Sequence, residues 1–212
     1  MTWAIAFGVV EGAVVTYLRR LFYPGAALDG PLFPLRIAEP VVLATEVARE
    51  VATLVMLGAV AMLSERRAVR RFAAFALGFG LWDLAYYALL KIAIGWPRDV
   101  LEWDILFLIP GPWAAPVLAP MLVSTALIAC ALLILLRIDE ARPSPLRPRD
   151  WWVLCICGVP ILTSFFWNTV RITRMETPGG YPWWLFLTGW LAGVGWFARA
   201  WRTKRGAGPL DR

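Results

Sequence analysis

Histidine and glutamine are absent from this chain of 212 residues, and asparagine occurs once, at Asn168. The missing imidazole removes the ligand on which most haem, copper and zinc sites depend. Cysteine is scarce: Cys130, Cys155 and Cys157 are one short of the four thiolates that an iron–sulfur cluster needs. Cys155 and Cys157 are one residue apart in an apolar segment, which is no metal-ligand spacing, so they read as small buried residues. No disulfide framework is indicated. The expectation is a protein without a cofactor, the exception being Mg²⁺ or Ca²⁺ held by carboxylate oxygens.

Charge is the other scarcity. Only 17% of residues are ionisable, while 60% are hydrophobic. A soluble domain cannot bury that much apolar surface, but a membrane protein need not. Thirteen tryptophans fit this class, because Trp concentrates at the membrane–water interface. The net charge of +6 comes from loops and the C-terminal end. It is read as topology and contact with anionic lipid, and nucleic acid is excluded as a partner.

The fold class expected is an all-α helical bundle, one polytopic transmembrane domain over residues 1–212. Six apolar runs approach the ~20 residues that cross a hydrocarbon core. They cover 3–23, 39–63, 71–94, 116–137, 151–170 and 183–201. The first lacks a basic start and a small-residue cleavage site, and it carries Glu11, so it is read as a span and not as a signal peptide. Thirteen Lys and Arg fall on one side of this arrangement: Arg66, Arg67, Arg70, Arg71, Arg137, Arg142, Arg147, Arg149, Arg199, Arg202, Lys204, Arg205 and Arg212. Seven fall on the other: Arg19, Arg20, Arg36, Lys91, Arg98, Arg171 and Arg174. The positive-inside rule then places both termini in the cytoplasm of a bacterial-type inner membrane. Between the third and fourth runs, the Trp- and Pro-rich stretch from Gly95 to Pro116 reads as an interfacial or re-entrant segment. It serves as an aromatic anchor or as a lid over a site opening outward.

Ionised groups inside the spans carry the functional signal, since each costs roughly 2.5–3.5 kcal/mol at bilayer depth on insertion scales. At 100° per residue, Glu39, Glu46, Arg49, Glu50 and Thr53 occupy one stripe of the second run, and Glu46 can pair with Arg49. Asp83, Tyr87 and Lys91 form a stripe on the third, with Gly80 beside them and Tyr86 flanking. Asp83 and Glu50 share a depth, and Lys91 is placed to meet Glu39 or Glu46, or to snorkel outward. Glu11 lies between Gly8 and Gly12, a spacing that lets another helix approach closely; Gly189 and Gly193 repeat it. Cys157, Pro160, Ser164, Asn168 and Arg171 share a face of the fifth run, which Pro160 bends.

The candidate ligand- or proton-binding residues are therefore Glu11, Glu46, Arg49, Glu50, Asp83, Tyr86, Tyr87, Lys91 and Asn168. Glu11, Glu46, Glu50 and Asp83 against Arg49 and Lys91 leave a formal −2. Raised carboxyl pKa values, a bound cation, or Arg19 and Arg171 reaching inward would resolve it. Intramembrane protease signatures fail: Gly78-Phe79-Gly80 precedes Asp83 at the wrong spacing, no second mid-helix Asp exists, and there is no His. Prenyltransferase aspartate clusters, a P-loop and a GxSxG elbow are absent too. Three readings follow. The first is a site that binds, and in one version translocates, a proton, cation or small cationic solute. The second is an accessory or assembly subunit with a membrane-protein partner, or a homo-oligomer. The third is an intramembrane lipid-modifying enzyme using outer arginines for phosphate. Membrane lipid is a partner in each.

Overall fold

The computed structural model describes residues 1–23, 28–34, 39–137 and 146–203. Arg36, Arg142, Lys204, Arg205 and Arg212 of the charge count above lie outside them. Helices α1 (Thr2–Phe22), α2 (Pro40–Ser64) and α3 (Ala68–Ile94) are followed by strands β1 (Trp103–Phe107) and β2 (Trp113–Pro116). Then come α4 (Leu118–Arg137), α5 (Pro148–Phe166), the short α6 (Thr169–Thr173) and α7 (Trp183–Thr203). Among the described residues, four stretches are long and apolar enough to cross a membrane: α2, α3, α4 and Pro148–Thr173. The 25 residues of α2 rise about 37 Å, more than a ~30 Å hydrocarbon core. Helices α1 and α7, at 21 residues each, exceed the 20 residues of α4 but stand outside that set of four.

The burial pattern of α2 is inverted relative to a soluble bundle. It buries Glu46, Glu50 and Thr53 and exposes Val41, Val55, Met62 and Leu63. A helix oriented this way is at home where its surroundings are apolar. In lipid, no hydrophobic drive brings helices together, so close backbone packing at small residues takes over. The structure uses glycine for this at three crossings. At Gly8 and Gly12, α1 lies against Trp82, Ala85 and Leu89 of α3, running parallel to it. At Gly80, α3 meets the backbone of Ser124 on α4, 2.7 Å from where a Cβ would stand. At Gly189, α7 meets the Cys157 carbonyl of α5 at 2.6 Å. Both GxxxG faces are thus occupied by the chain's own helices. Ser164 on the α5 face shares a hydrogen bond with Tyr181.

Two groups of helices result. One is α3 flanked by α1, α2 and α4; the other is the antiparallel pair α5 and α7. They meet through Trp190, whose indole N–H donates to the Leu122 carbonyl at 3.1 Å, and through an aromatic layer around Phe165 and Phe186. Between them lies an apolar cavity of about 280 Å³. At one end of it the buried Asp150 joins α5 to α7, accepting the Arg147 backbone N–H at 2.7 Å and the Trp196 indole N–H at 3.2 Å.

The segment between α3 and α4 differs from expectation by containing strands. Gly95 ends α3 in the left-handed conformation, φ +76°, which its missing Cβ permits. The chain then forms an antiparallel β-hairpin that pairs Trp103 with Pro116, Asp104 with Ala115, Ile105 with Ala114 and Phe107 with Trp113. A register shift between Ile105 and Phe107 marks a bulge. The hairpin is packed into the bundle: Ala114, Ala115 and Val117 are fully buried, and Phe107 lies against Phe79, Trp82 and Trp113. Outside it, Arg98 binds Asp29 at 2.7 Å, which holds that carboxyl below the usual range.

Helix five is also shorter than read. It stops at Phe166, and α6 restarts after Asn168. Asn168 sits in the break and spends its carbonyl on the Gly179 N–H at 2.8 Å.

Candidate functional site

The site lies at the end of the bundle where α1 and α3 finish, beneath the hairpin. Two adjoining cavities of about 90 Å³ each occupy it, both lined by Arg49, Glu50, Tyr86 and Asp104. Each has room for roughly three water-sized groups.

Arg49 is the hinge of the charged part. From α2 it forms an ion pair with Glu11 of α1 and donates to Glu46 from Nη2 at 2.6 Å and Nε at 3.0 Å. The i,i+3 spacing read from the sequence puts Glu46 beneath it. Glu11 reaches it because Gly8 and Gly12 let α1 settle onto the bundle. Both carboxylates are at least nine-tenths buried.

The remaining three carboxylates are spread along the cavity wall, each with its own donor. Glu50, one turn below Glu46, accepts the Leu108 backbone N–H from the hairpin at 2.8 Å. Asp83 accepts the Ser124 hydroxyl at 2.7 Å, a contact made by the close α3–α4 crossing at Gly80. Asp104 of β1 is 3% exposed and accepts the Tyr87 hydroxyl at 3.0 Å and the Tyr86 hydroxyl at 3.4 Å. Thr53, Trp82 and Phe79 complete the wall.

Arg19 closes the far side. It belongs to the last turn of α1, yet it is only 5% exposed. Its guanidinium stacks on Trp96, 4.1 Å from the ring centroid, and Nη1 donates to the carbonyls of Leu28 and Gly30 at 3.1 and 3.2 Å. Among the described residues, Nε and Nη2 are buried without a hydrogen-bond partner. Arg19, Glu46, Glu50 and Asp104 line one cavity.

The structure thus brings together Glu11, Glu46, Arg49, Glu50, Asp83, Tyr86 and Tyr87 from the sequence candidates. Lys91 and Asn168 stand apart. The Lys91 ammonium bonds the Gly95 and Pro97 carbonyls at 3.3 and 2.8 Å, closing the end of its own helix instead of meeting Glu39 or Glu46. Glu39 is exposed at the start of α2. Arg171 binds the Thr177 carbonyl and Glu176, away from the cavities, whereas Arg19 does reach in. Sequence reasoning missed Asp104 and Ser124. Asp104 stood in a non-helical segment where no stripe could be drawn. Ser124 is a small hydroxyl in an apolar run, and it and Thr125 are the only hydroxyls of α4, which was the available signal.

Among the described residues, no three acidic or Cys side chains converge in the manner of a metal-ligand group. The carboxylates are strung out instead of forming the oxygen cage that Mg²⁺ or Ca²⁺ takes. Five carboxylates (Glu11, Glu46, Glu50, Asp83, Asp104) face two guanidinium groups (Arg19, Arg49), so the formal excess is −3 and not −2. Compared with protein-family models, curated proteins and solved structures, the chain matches none.

Proposed function

We propose that the chain is a six-span membrane protein whose hairpin-end cavity binds a monovalent positive charge, a proton or a small ammonium-type solute, and passes it toward the bilayer interior. The observation that carries this reading is the formal −3 gathered around two small cavities. Buried unpaired carboxylates are costly in low dielectric, and bound positive charge removes the cost. The separate donors on Glu50, Asp83 and Asp104 support stepwise handling of single charges along the wall. In this reading α1 and α7 also span, the hairpin dips in from the outer face, and both termini are cytoplasmic in a bacterial-type inner membrane. Arg66, Arg67, Arg70 and Arg71 then face the cytoplasm.

Thermal unfolding of the purified protein tests this, with sodium, ammonium and methylammonium chloride titrated at constant ionic strength. A saturating rise in Tm is expected with at least one cation, equivalent to about 2.7 kcal/mol at a hundredfold excess over Kd. The double variant Glu50→Gln/Asp83→Asn loses it. Superimposable curves for the two proteins with every cation, and at every pH from 5 to 8, overturn the reading.

A further inference from the structure

The cavity's second guanidinium is left over once positive charge is assigned to the carboxylates. Arg49 is already paired with two carboxylates, Glu11 and Glu46. Arg19 is not: two N–H groups of this side chain, 95% buried, have no hydrogen-bond partner among the described residues, and Arg19 lines the cavity that Glu50 and Asp104 also line. An unsatisfied buried donor of this kind costs free energy, more for a charged group. Trp96 and the carbonyls of Leu28 and Gly30 fix the guanidinium plane, so Nε and Nη2 form a held edge of the sort that carboxylates and phosphates engage in pairs. A cation alone leaves that edge empty. An anion alone faces the carboxylates.

We infer that the ligand is a small zwitterion, its anionic oxygens on Nε and Nη2 of Arg19 and its ammonium on Glu50 and Asp104. This rests on the cation reading and names its substrate class. Size agrees: the two adjoining cavities of about 90 Å³ each together hold roughly six water-sized groups, enough for a short amino acid or an ethanolamine phosphate. A short amino acid adds no net charge, so the formal −3 is the same with and without it, and the ammonium needs Glu50 and Asp104 ionised. The same chemistry is offered by a free amino acid and by the headgroup of a zwitterionic phospholipid.

Isothermal titration calorimetry on the full-length protein in detergent decides it, with β-alanine, n-propylamine, propionate and phosphoethanolamine as probes. β-Alanine or phosphoethanolamine is expected to bind at least about tenfold more tightly than propylamine, and propionate not at all. Tight phosphoethanolamine with silent β-alanine assigns the site to a lipid headgroup; the reverse assigns it to a free solute. Arg19→Lys keeps the charge but loses the planar edge, and it should bring the zwitterion down to the level of propylamine. Propylamine equal to both zwitterions in the wild type overturns the inference and leaves the cation reading standing. Silence from all four probes also overturns it, and the salt titrations above then judge the cation reading alone.

Discussion

At the residue scale, Arg49 is the side chain on which most depends. It is the shared partner of two buried carboxylates from different helices. Replacing it with Leu leaves Glu11 and Glu46 without that counter-charge, and breaking a buried pair from one side costs about 3–5 kcal/mol. Arg49→Leu should show that loss in denaturant or thermal unfolding, and adding Glu46→Gln should recover part of it. Unchanged stability in Arg49→Leu would mean the pair contributes nothing. Glu65, beyond the end of α2, is a milder case. Arg70 grips it with two contacts of 2.7 Å, and the side-chain hydrogen bond lowers its carboxyl pKa. A depressed carboxyl contributes stability above its unfolded pKa and loses it as pH falls through the folded one. The Tm gap between wild type and Glu65→Gln should therefore be open at pH 7 and narrow progressively as pH falls below about 4.3. A gap that widens on acidification would reverse the assignment.

Much of this scale was legible in the sequence, because a charge inside an apolar helix is conspicuous and helical spacing fixes its direction. Glu46 beneath Arg49 needed nothing more. Asp104 was hidden because its burial depends on how a hairpin packs, and no periodic rule runs through a turn of Ile109, Pro110, Gly111 and Pro112. Arg19 near a helix end was counted among the outer charges and, as one alternative, as reaching inward; that Trp96 would cover it was not readable.

At the element scale, glycine decides which helices touch. Gly80→Ala places a methyl 2.7 Å from the Ser124 carbonyl and 2.8 Å from Ile128, so α4 must shift. A loss of about 1–3 kcal/mol is expected, together with a weakened Asp83–Ser124 bond and reduced cation-dependent stabilisation. Gly58 is the internal control. A Cβ there meets nothing within 4 Å, and Gly58→Ala should be neutral or stabilising by up to about 1 kcal/mol. Equal effects at the two positions would show that backbone propensity, and not the α3–α4 crossing, governs stability. Helix identity and approximate bounds were readable from run length. The hairpin was not, because its strands are four and five residues long and a bulge interrupts their alternation.

At the scale of the whole molecule, the proposed six-span topology predicts which loops share a side. A single cysteine at Asp99, beside the hairpin, should react with a membrane-impermeant maleimide in intact cells after Cys130, Cys155 and Cys157 are replaced. One at Arg67, in the connection between α2 and α3, should react only after permeabilisation. Labelling of both from outside would remove the proposed orientation. The accessory-subunit reading loses one of its supports here, since the GxxxG faces are spent within the chain.

The hairpin is bonded to two helices: through Leu108 to Glu50 on α2, and through Asp104 to the two tyrosines of α3. Only three residues separate the two anchor positions. A short rigid ribbon fastened in this way acts as a gauge of the α2–α3 spacing. Any widening of that gap must break one anchor or drag the ribbon off the cavities it covers, so the seal over the site and the separation of the two helices cannot vary independently.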